Sequence, residues 1–263
     1  MINNKENNLN STKETVTNIT SVNNNNKESV EIKKISRLRK TIAKKMSISK
    51  TIIPEVTLMD EVDITDLVSL RNKIKLVVQK KGIKLTYMAF IAKAVVLALK
   101  EYPFFNASFD DEKEELIIKN YINLGIAIDT KDGLIVPNIK NVDNLNVLEL
   151  AKEIQILSVN TAERKLQLSQ LQKGTFTLSN FGAIDIAYGT PIINHPELSI
   201  LGIGKILKKP IVKNGEIVIA DMLPLSLAID HRIIDGADGG RLLKRIKELL
   251  NDVKTLENDF TDL

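Results

Sequence analysis

The residue pattern predicts an α+β fold, with a mixed or mostly antiparallel sheet and helices on one of its faces. Three observations carry this expectation. Two helix-periodic stretches stand side by side in the first half, strand-like runs with hairpin turns follow, and an amphipathic helix closes the chain. Helices kept apart from clustered strands build α+β rather than alternating layers.

Residues 1–30 are rich in Asn, Ser, Thr and Lys, with Asn23 to Asn26 in a row. Few large apolar residues are present there to offset ordering entropy, so a disordered leader or linker is expected, followed by one domain over 31–263. Leu38 to Met46 suggests a short helix. After Pro54, Val56, Leu58 and Val62 in EVTLMDEVD suggest a strand with one bulge or shift of phase. Thr65 or Asp66 is the expected cap of a helix through Arg71 toward Lys80, with Leu67, Leu70 and Ile74 as its apolar stripe. Thr86 opens a second helix, apolar on most sides and so expected to be central, which Pro103 stops.

Strand-like runs follow at Glu115–Lys119, Tyr121–Asp129 and Leu134–Ile139, and Val147 to about Leu168 reads as a helix and connection. Further strands are expected at Thr175–Ser179, Leu198–Lys205, Glu216–Ala220 and Pro224–Ile229. Leu242, Leu243, Ile246, Leu249 and Leu250 then have the spacing of a buried helix face.

Composition narrows the function. The chain of 263 residues has no cysteine, which excludes disulfides, cysteine zinc sites and a thiol nucleophile of its own. Any thioester chemistry must take its sulfurs from substrates, and no metal is expected. The net charge is +4, but basic residues are spread among acids and aromatics are only 4%, so no nucleic-acid partner is expected. The densest basic stretch, Lys33 to Lys45, reads as a solvated helix face, with a phosphate-facing or acidic-partner role as the alternative. The sequence lacks both a secretory signal and a membrane-spanning run, so a cytoplasmic location away from membranes is expected.

The chemistry concentrates in LAIDHRIIDGADGGRLLKRIKELL. An apolar strand delivers Asp230, His231 and Arg232 to a loop, and Asp235-Gly236 opens the last helix. A histidine at a strand end can project into a cleft, and histidine titrates close to neutrality, as a general base there must. On the residues alone, Asp235 or Asp238 would equally cap the helix and His231 would be a surface turn residue.

DHRIIDGADG resembles the DHRxxDG signature of the dihydrolipoyl acyltransferase cores of 2-oxo acid dehydrogenase complexes. RLRKTIAKKM, IPEVTLMDEVDITDLVSLRNKIK, NLGIAIDTKDGLIVPNIKN, GTFTLSNFG and TPIINHPELSILGIGKI are similar to further blocks of the same cores, in the same order. The similarity runs from about Lys33 to the C-terminus. It implies a two-layer fold like that of chloramphenicol acetyltransferase, trimers or larger cages of the chain, and active sites between subunits.

The resemblance also implies roles. His231 deprotonates the coenzyme A thiol, whose thiolate attacks an acyl thioester of a lipoyl group carried on a separate domain or protein. Ser179, from a neighbouring subunit, donates to the oxyanion. Asp235 steadies the histidine loop by pairing with Arg39. Coenzyme A is held by Arg71, Thr86, Asp129, Ser179 and Asn180, with backbone near Gly204 and Ile206. The implied partners are the lipoyl domain and the decarboxylating dehydrogenase and dihydrolipoyl dehydrogenase components. Read without the resemblance, Arg71 is a solvated helix residue, Thr86 a cap, Asp129 a turn residue and Ser179 a strand end. His195, in NHPE, reads as structural.

Two departures stand out. No lipoyl or subunit-binding domain is visible ahead of the core, and Glu55 occupies a position where these cores often have histidine. Rival readings are a structural core subunit without catalysis and a chloramphenicol-type acetyltransferase, which more often pairs two histidines where this chain has Asp230-His231. Serine at position 179 favours acetyl or branched-chain acyl groups over succinyl.

Overall fold

The computed structural model describes residues 30–260, so the expected leader lies outside the described residues but for Val30. Helix α1 (Arg37–Ile52) opens with the Ser36 hydroxyl accepting from the Arg39 amide at 3.1 Å. It runs beyond the expected Met46 because the weak helix formers that follow are held by tertiary contacts. Buried Ser49, for example, donates to the Ile193 carbonyl at 2.6 Å.

Strand β1 (Glu55–Asp63) pairs antiparallel with β9 (Glu216–Asp230) in unbroken register, from Glu55 opposite Asp230 to Asp63 opposite Met222. The expected bulge is absent. Asp60 interrupts the apolar phase of Val56, Leu58 and Val62, but its carboxylate is met by Lys247, so no shift of register is needed. Helix α2 (Thr65–Lys80) corrects another expectation: neither Thr65 nor Asp66 is its cap. Ile64 holds the cap position, and the Asp63 carboxylate accepts from the Thr65 amide (3.0 Å) and hydroxyl (2.5 Å). Helix α3 (Tyr87–Glu101) is central as expected, buried along most of its length, and ends before Pro103.

A small hairpin of β2 (Ala107–Asp110) and β3 (Glu115–Ile118) stands outside the main sheet. The remaining elements are β4 (Leu124–Ala127), β5 (Asn138–Ile139), α4 (Val147–Ala162), β6 (Phe176–Asn180), β7 (Ser199–Ile203), β8 (Leu207–Lys213), α5 (Gly236–Asn251) and α6 (Val253–Glu257). The main sheet runs β1-β9-β7-β6-β4-β5, with β8 also on β9. Strands β4, β6 and β7 are mutually parallel and the other pairings antiparallel, which makes the sheet mixed.

The two runs expected at Glu216–Ala220 and Pro224–Ile229 are one strand. Ile203 faces Leu225 while Leu207 faces Met222, so β8 continues β7 along β9 after a one-residue bulge. The Pro224 carbonyl accepts from Gly204 within that bulge. A residue's amide and carbonyl point to the same side of a strand, so the amide proline lacks falls at the opened ladder and costs no bond to β1.

Alternation divides the sheet's faces. Leu124, Leu178, Leu201 and Leu227 join the main core with α2, α3, α4 and α5. The opposite face carries small or polar residues, among them Gly125, Thr177, Ser179, Gly202 and Ala228, and α1 lies on that side.

Candidate active site

The parallel strands β4, β6 and β7 finish at one edge of the sheet, which brings Asp129, Ser179, Asn180 and Gly204 to the same end. Ser179 is half-buried, and no hydrogen bond occupies its hydroxyl among the described residues. It lines a largely apolar cavity of about 490 Å³, walled by Ile42 and Met46 of α1 and by Val136, Pro191 and Ile200. Lys45 and Asn194 add polar groups at its margin. The Asn180 side chain accepts from the Ala183 amide at 3.2 Å, and the Gly204 amide donates to Pro224 at 2.9 Å. That amide is therefore already used within the sheet, and Ile206 is half-buried just beyond it.

Arg71 and Thr86 lie together elsewhere. The Arg71 Nε donates to the Leu85 carbonyl at 3.0 Å, and its guanidinium stacks 4.6 Å from the Tyr87 ring centre. Thr86 holds the cap position of α3, yet its side chain makes no capping bond. Arg71, Lys75 and Lys84 line a cavity of about 450 Å³ with Gln155 of α4. Asp129 borders a third cavity with Ser158 and Thr161 of α4 and with Ile135, which also lines the Ser179 cavity. The Ser179 and Asp129 cavities thus adjoin at Ile135, and the Arg71 cavity shares only helix α4 with the latter, through Gln155 and Ser158.

His231 sits at the other end. Strand β9 runs against β7, and Ser226 is the β9 residue level with Gly202 and Ser179. From that level His231 lies about 17 Å along the strand and Ser179 about 10 Å across it. One chain therefore cannot bring the two to a single small group. The His231 ring is exposed, and its amide donates to the Pro54 carbonyl at 3.2 Å.

The loop is held by a buried lock that the sequence reading missed. Fully buried Asp230 accepts from the Arg232 Nε (3.0 and 3.2 Å), from its Nη2 (2.6 Å) and from its amide (3.1 Å). The same guanidinium pairs with Asp111 at the β2–β3 turn and lies 5.4 Å from the Phe109 ring centre. An acid and a base flanking the histidine were the visible signal.

Asp235 is exposed at the cap position of α5, with no side-chain capping bond. The expected Arg39–Asp235 pair does not form within the chain, because the Arg39 guanidinium packs against Gly133 on the Ser179 side. Glu55, beside Asp230 on β1, pairs with Lys50 and has one buried oxygen without a partner. His195 is half-buried in a turn, its amide bonded to Ile193. Among the described residues, no three His, Cys, Asp or Glu side chains cluster as a metal site, and no helix is long and apolar enough to cross a membrane.

Residues 27–257 match the family model described as 2-oxoacid dehydrogenases acyltransferase (catalytic domain). The chain belongs to this family. It is 60% identical over 223 residues to the dihydrolipoyllysine-residue acetyltransferase component of the pyruvate dehydrogenase complex of Acholeplasma laidlawii, covering 85% of this acyltransferase domain and 41% of that protein. The Bacillus subtilis counterpart is 49% identical, with 83% and 50% covered. The acyltransferase chain therefore spans half or less of these relatives' length.

Among solved structures, the cubic core of a pyruvate dehydrogenase multienzyme complex superposes with a TM-score of 0.85 at 37% identity, over 92% of this chain and 99% of that one. Dihydrolipoamide acetyltransferase of Azotobacter vinelandii gives 0.84 at 38% identity, over 87% and 94%. That structure addresses the catalytic roles of a serine, a histidine and an asparagine, which lie 52 and 4 residues apart. Chloramphenicol acetyltransferase shares the fold, with a TM-score of 0.50 at 16% identity over 79% and 94%.

Proposed function

We infer that this acyltransferase domain moves an acetyl group between the thioester of a lipoyl group, carried on another domain or chain, and coenzyme A. The observation that carries the reading is a spacing. Ser179, His231 and Asp235 lie 52 and 4 residues apart, as do the serine, histidine and asparagine studied in the Azotobacter enzyme.

A thiol is mostly protonated at neutral pH, and only its thiolate is a strong nucleophile. His231, exposed and unbonded, takes the proton from the coenzyme A sulfur. The thiolate attacks the acyl carbonyl carbon, and the Ser179 hydroxyl donates to the oxyanion that forms. Collapse breaks the bond to the lipoyl sulfur, which recovers the proton from His231. Asp235 steadies the histidine loop across the subunit boundary. Arg71, Lys75 and Lys84 offer three cations to the phosphates of coenzyme A, with Thr86 beside them, and the thiol end would pass along α4 and Asp129 toward Ser179 and Asn180.

The separation of His231 from Ser179 makes a neighbouring subunit part of the site. Val212, Ile217 and Ile219 of the β8–β9 hairpin are 75%, 79% and 74% exposed, an apolar arm that a second copy would cover. Likeness to a chain of the cubic core supports trimers joined into a closed assembly, serving the dehydrogenase components of a pyruvate complex. The test is acyl-CoA formation from acetyl-, isobutyryl- and succinyl-dihydrolipoamide. Acetyl transfer should be fastest; equal or faster succinyl transfer would overturn the acetyl assignment, and no transfer from any donor would overturn the reaction.

A further inference from the structure

Glu197 is a buried ionisable group on the Ser179 face of the sheet, near the entry to β6, and nothing in the reaction above uses it. It is 2% exposed, held in the loop after Asn194. One carboxyl oxygen accepts from the Thr177 hydroxyl at 2.5 Å and the other from the Asn194 side-chain amide at 2.7 Å. Thr177 precedes Ser179 by two residues on β6 and so shares its face. Asn194 borders the same cavity as Ser179. The carboxyl is wedged in place: a Cβ on Gly174, at the entry to β6, would lie 2.8 Å from its Oε1. Burial pushes the Glu197 carboxyl up to about 7, while Thr177, Asn194 and Lys45 of α1 pull against that rise.

We propose that Glu197 is a positioning residue for Ser179, tying the strand that presents the serine to the loop that closes the cavity around it. The inference rests on Ser179 acting in acyl transfer. A buried carboxyl with both oxygens bonded fixes two backbone segments relative to each other, which a single apolar contact would not do. Any loosening shifts the serine hydroxyl relative to the developing oxyanion, where small displacements are costly in rate.

The test uses the assembled protein with acetyl-dihydrolipoamide and coenzyme A. Glu197→Leu, which removes both hydrogen bonds, should lower kcat about tenfold and leave both KM values within about twofold. Glu197→Gln keeps an oxygen for Asn194 and an amide for Thr177, and should recover to within about threefold of wild type. A merely structural role is separated by repeating Glu197→Leu in a Ser179→Ala background. There the further loss should vanish, because the group being positioned is gone.

Undiminished kcat in Glu197→Leu, or a loss that multiplies with that of Ser179→Ala, would overturn the inference while leaving the role of Ser179 intact. Unchanged kcat in Ser179→Ala alone would instead overturn that role, and this inference with it. Should Glu197→Leu fail to assemble, Thr177→Val removes the strand-side bond with little change of shape and carries the same cycle.

Discussion

Replacing His231 with alanine should abolish acyl transfer while leaving the assembly intact. The ring is exposed and unbonded, and the loop is set by Asp230, Arg232 and the Pro54 carbonyl instead. Loss of a general base costs about 10²- to 10⁴-fold in rate; an assembled variant with near wild-type turnover would remove His231 from the mechanism. Glu197 gives a second residue-level expectation, in stability. Its folded value of about 7 stands above the ordinary 4.5, so between those limits the native state keeps a proton that the unfolded chain has lost. The stability due to this group is full below about pH 4.5 and falls as pH rises through about 7. Glu197→Gln cannot ionise, so its stability relative to wild type should rise by roughly 3 kcal/mol between pH 4.5 and 8. Denaturant unfolding at both ends of the range checks this, with Lys45 as the neighbouring cation that moderates the shift. A constant difference between the two proteins would disprove the raised value. His231 stood out in the sequence because acids, a base and glycines surround it. Glu197 did not, being one of 33 acids, and only the fold reveals what buries it.

At the scale of elements, long periodic stretches were legible and short or interrupted ones were not. The lengths of α2, α3 and α5 follow from apolar stripes that face one core. Strand β8 was hidden because LKKPIVK pairs two adjacent lysines with an uninterrupted Pro-Ile-Val run and so shows no strand alternation, and four of its seven residues are exposed. The long strand β9 looked like two because Pro224 interrupts it, and the compensating bulge lies on another strand, at Gly204. That bulge is where the sheet is least tolerant. A Cβ on Gly204 would fall 1.9 Å from the Ala187 carbonyl oxygen, a contact with backbone that no side-chain rotation relieves. Gly204→Ala should therefore cost roughly 3 kcal/mol or prevent folding. Gly215, at the tip of the β8–β9 hairpin, has a φ of 84° but open space around it. Gly215→Ala should cost about 1 kcal/mol, from backbone strain alone. Urea unfolding of the two variants tests the order, and an equal cost would contradict the account of the bulge.

At the scale of the whole molecule, the proposed reaction makes one chain the carrier of two half-sites. The sequence motifs point to His231 and Ser179, but distance along a sequence does not reveal that β9 runs antiparallel to β7 and carries His231 away from Ser179. The sheet's order and register supply that, and with it a strong test by subunit mixing. His231→Ala chains retain Ser179 and the apolar cavity; Ser179→Ala chains retain His231 and the Asp230–Arg232 lock. Each homogeneous assembly should be slow, since every interface lacks one partner. If the two are unfolded together and refolded, random association places an intact histidine against an intact serine at about one interface in four, since each chain offers one half independently. Activity should then recover toward a quarter of wild type per site, and it should follow the product of the two mole fractions, peaking at equal mixing. A linear dependence on either variant would mean residual activity of that variant alone, with no repair across an interface. Absence of recovery after mass-resolved proof of mixed assemblies would mean that these two residues do not meet at the same thioester, and the shared-site mechanism would have to be abandoned.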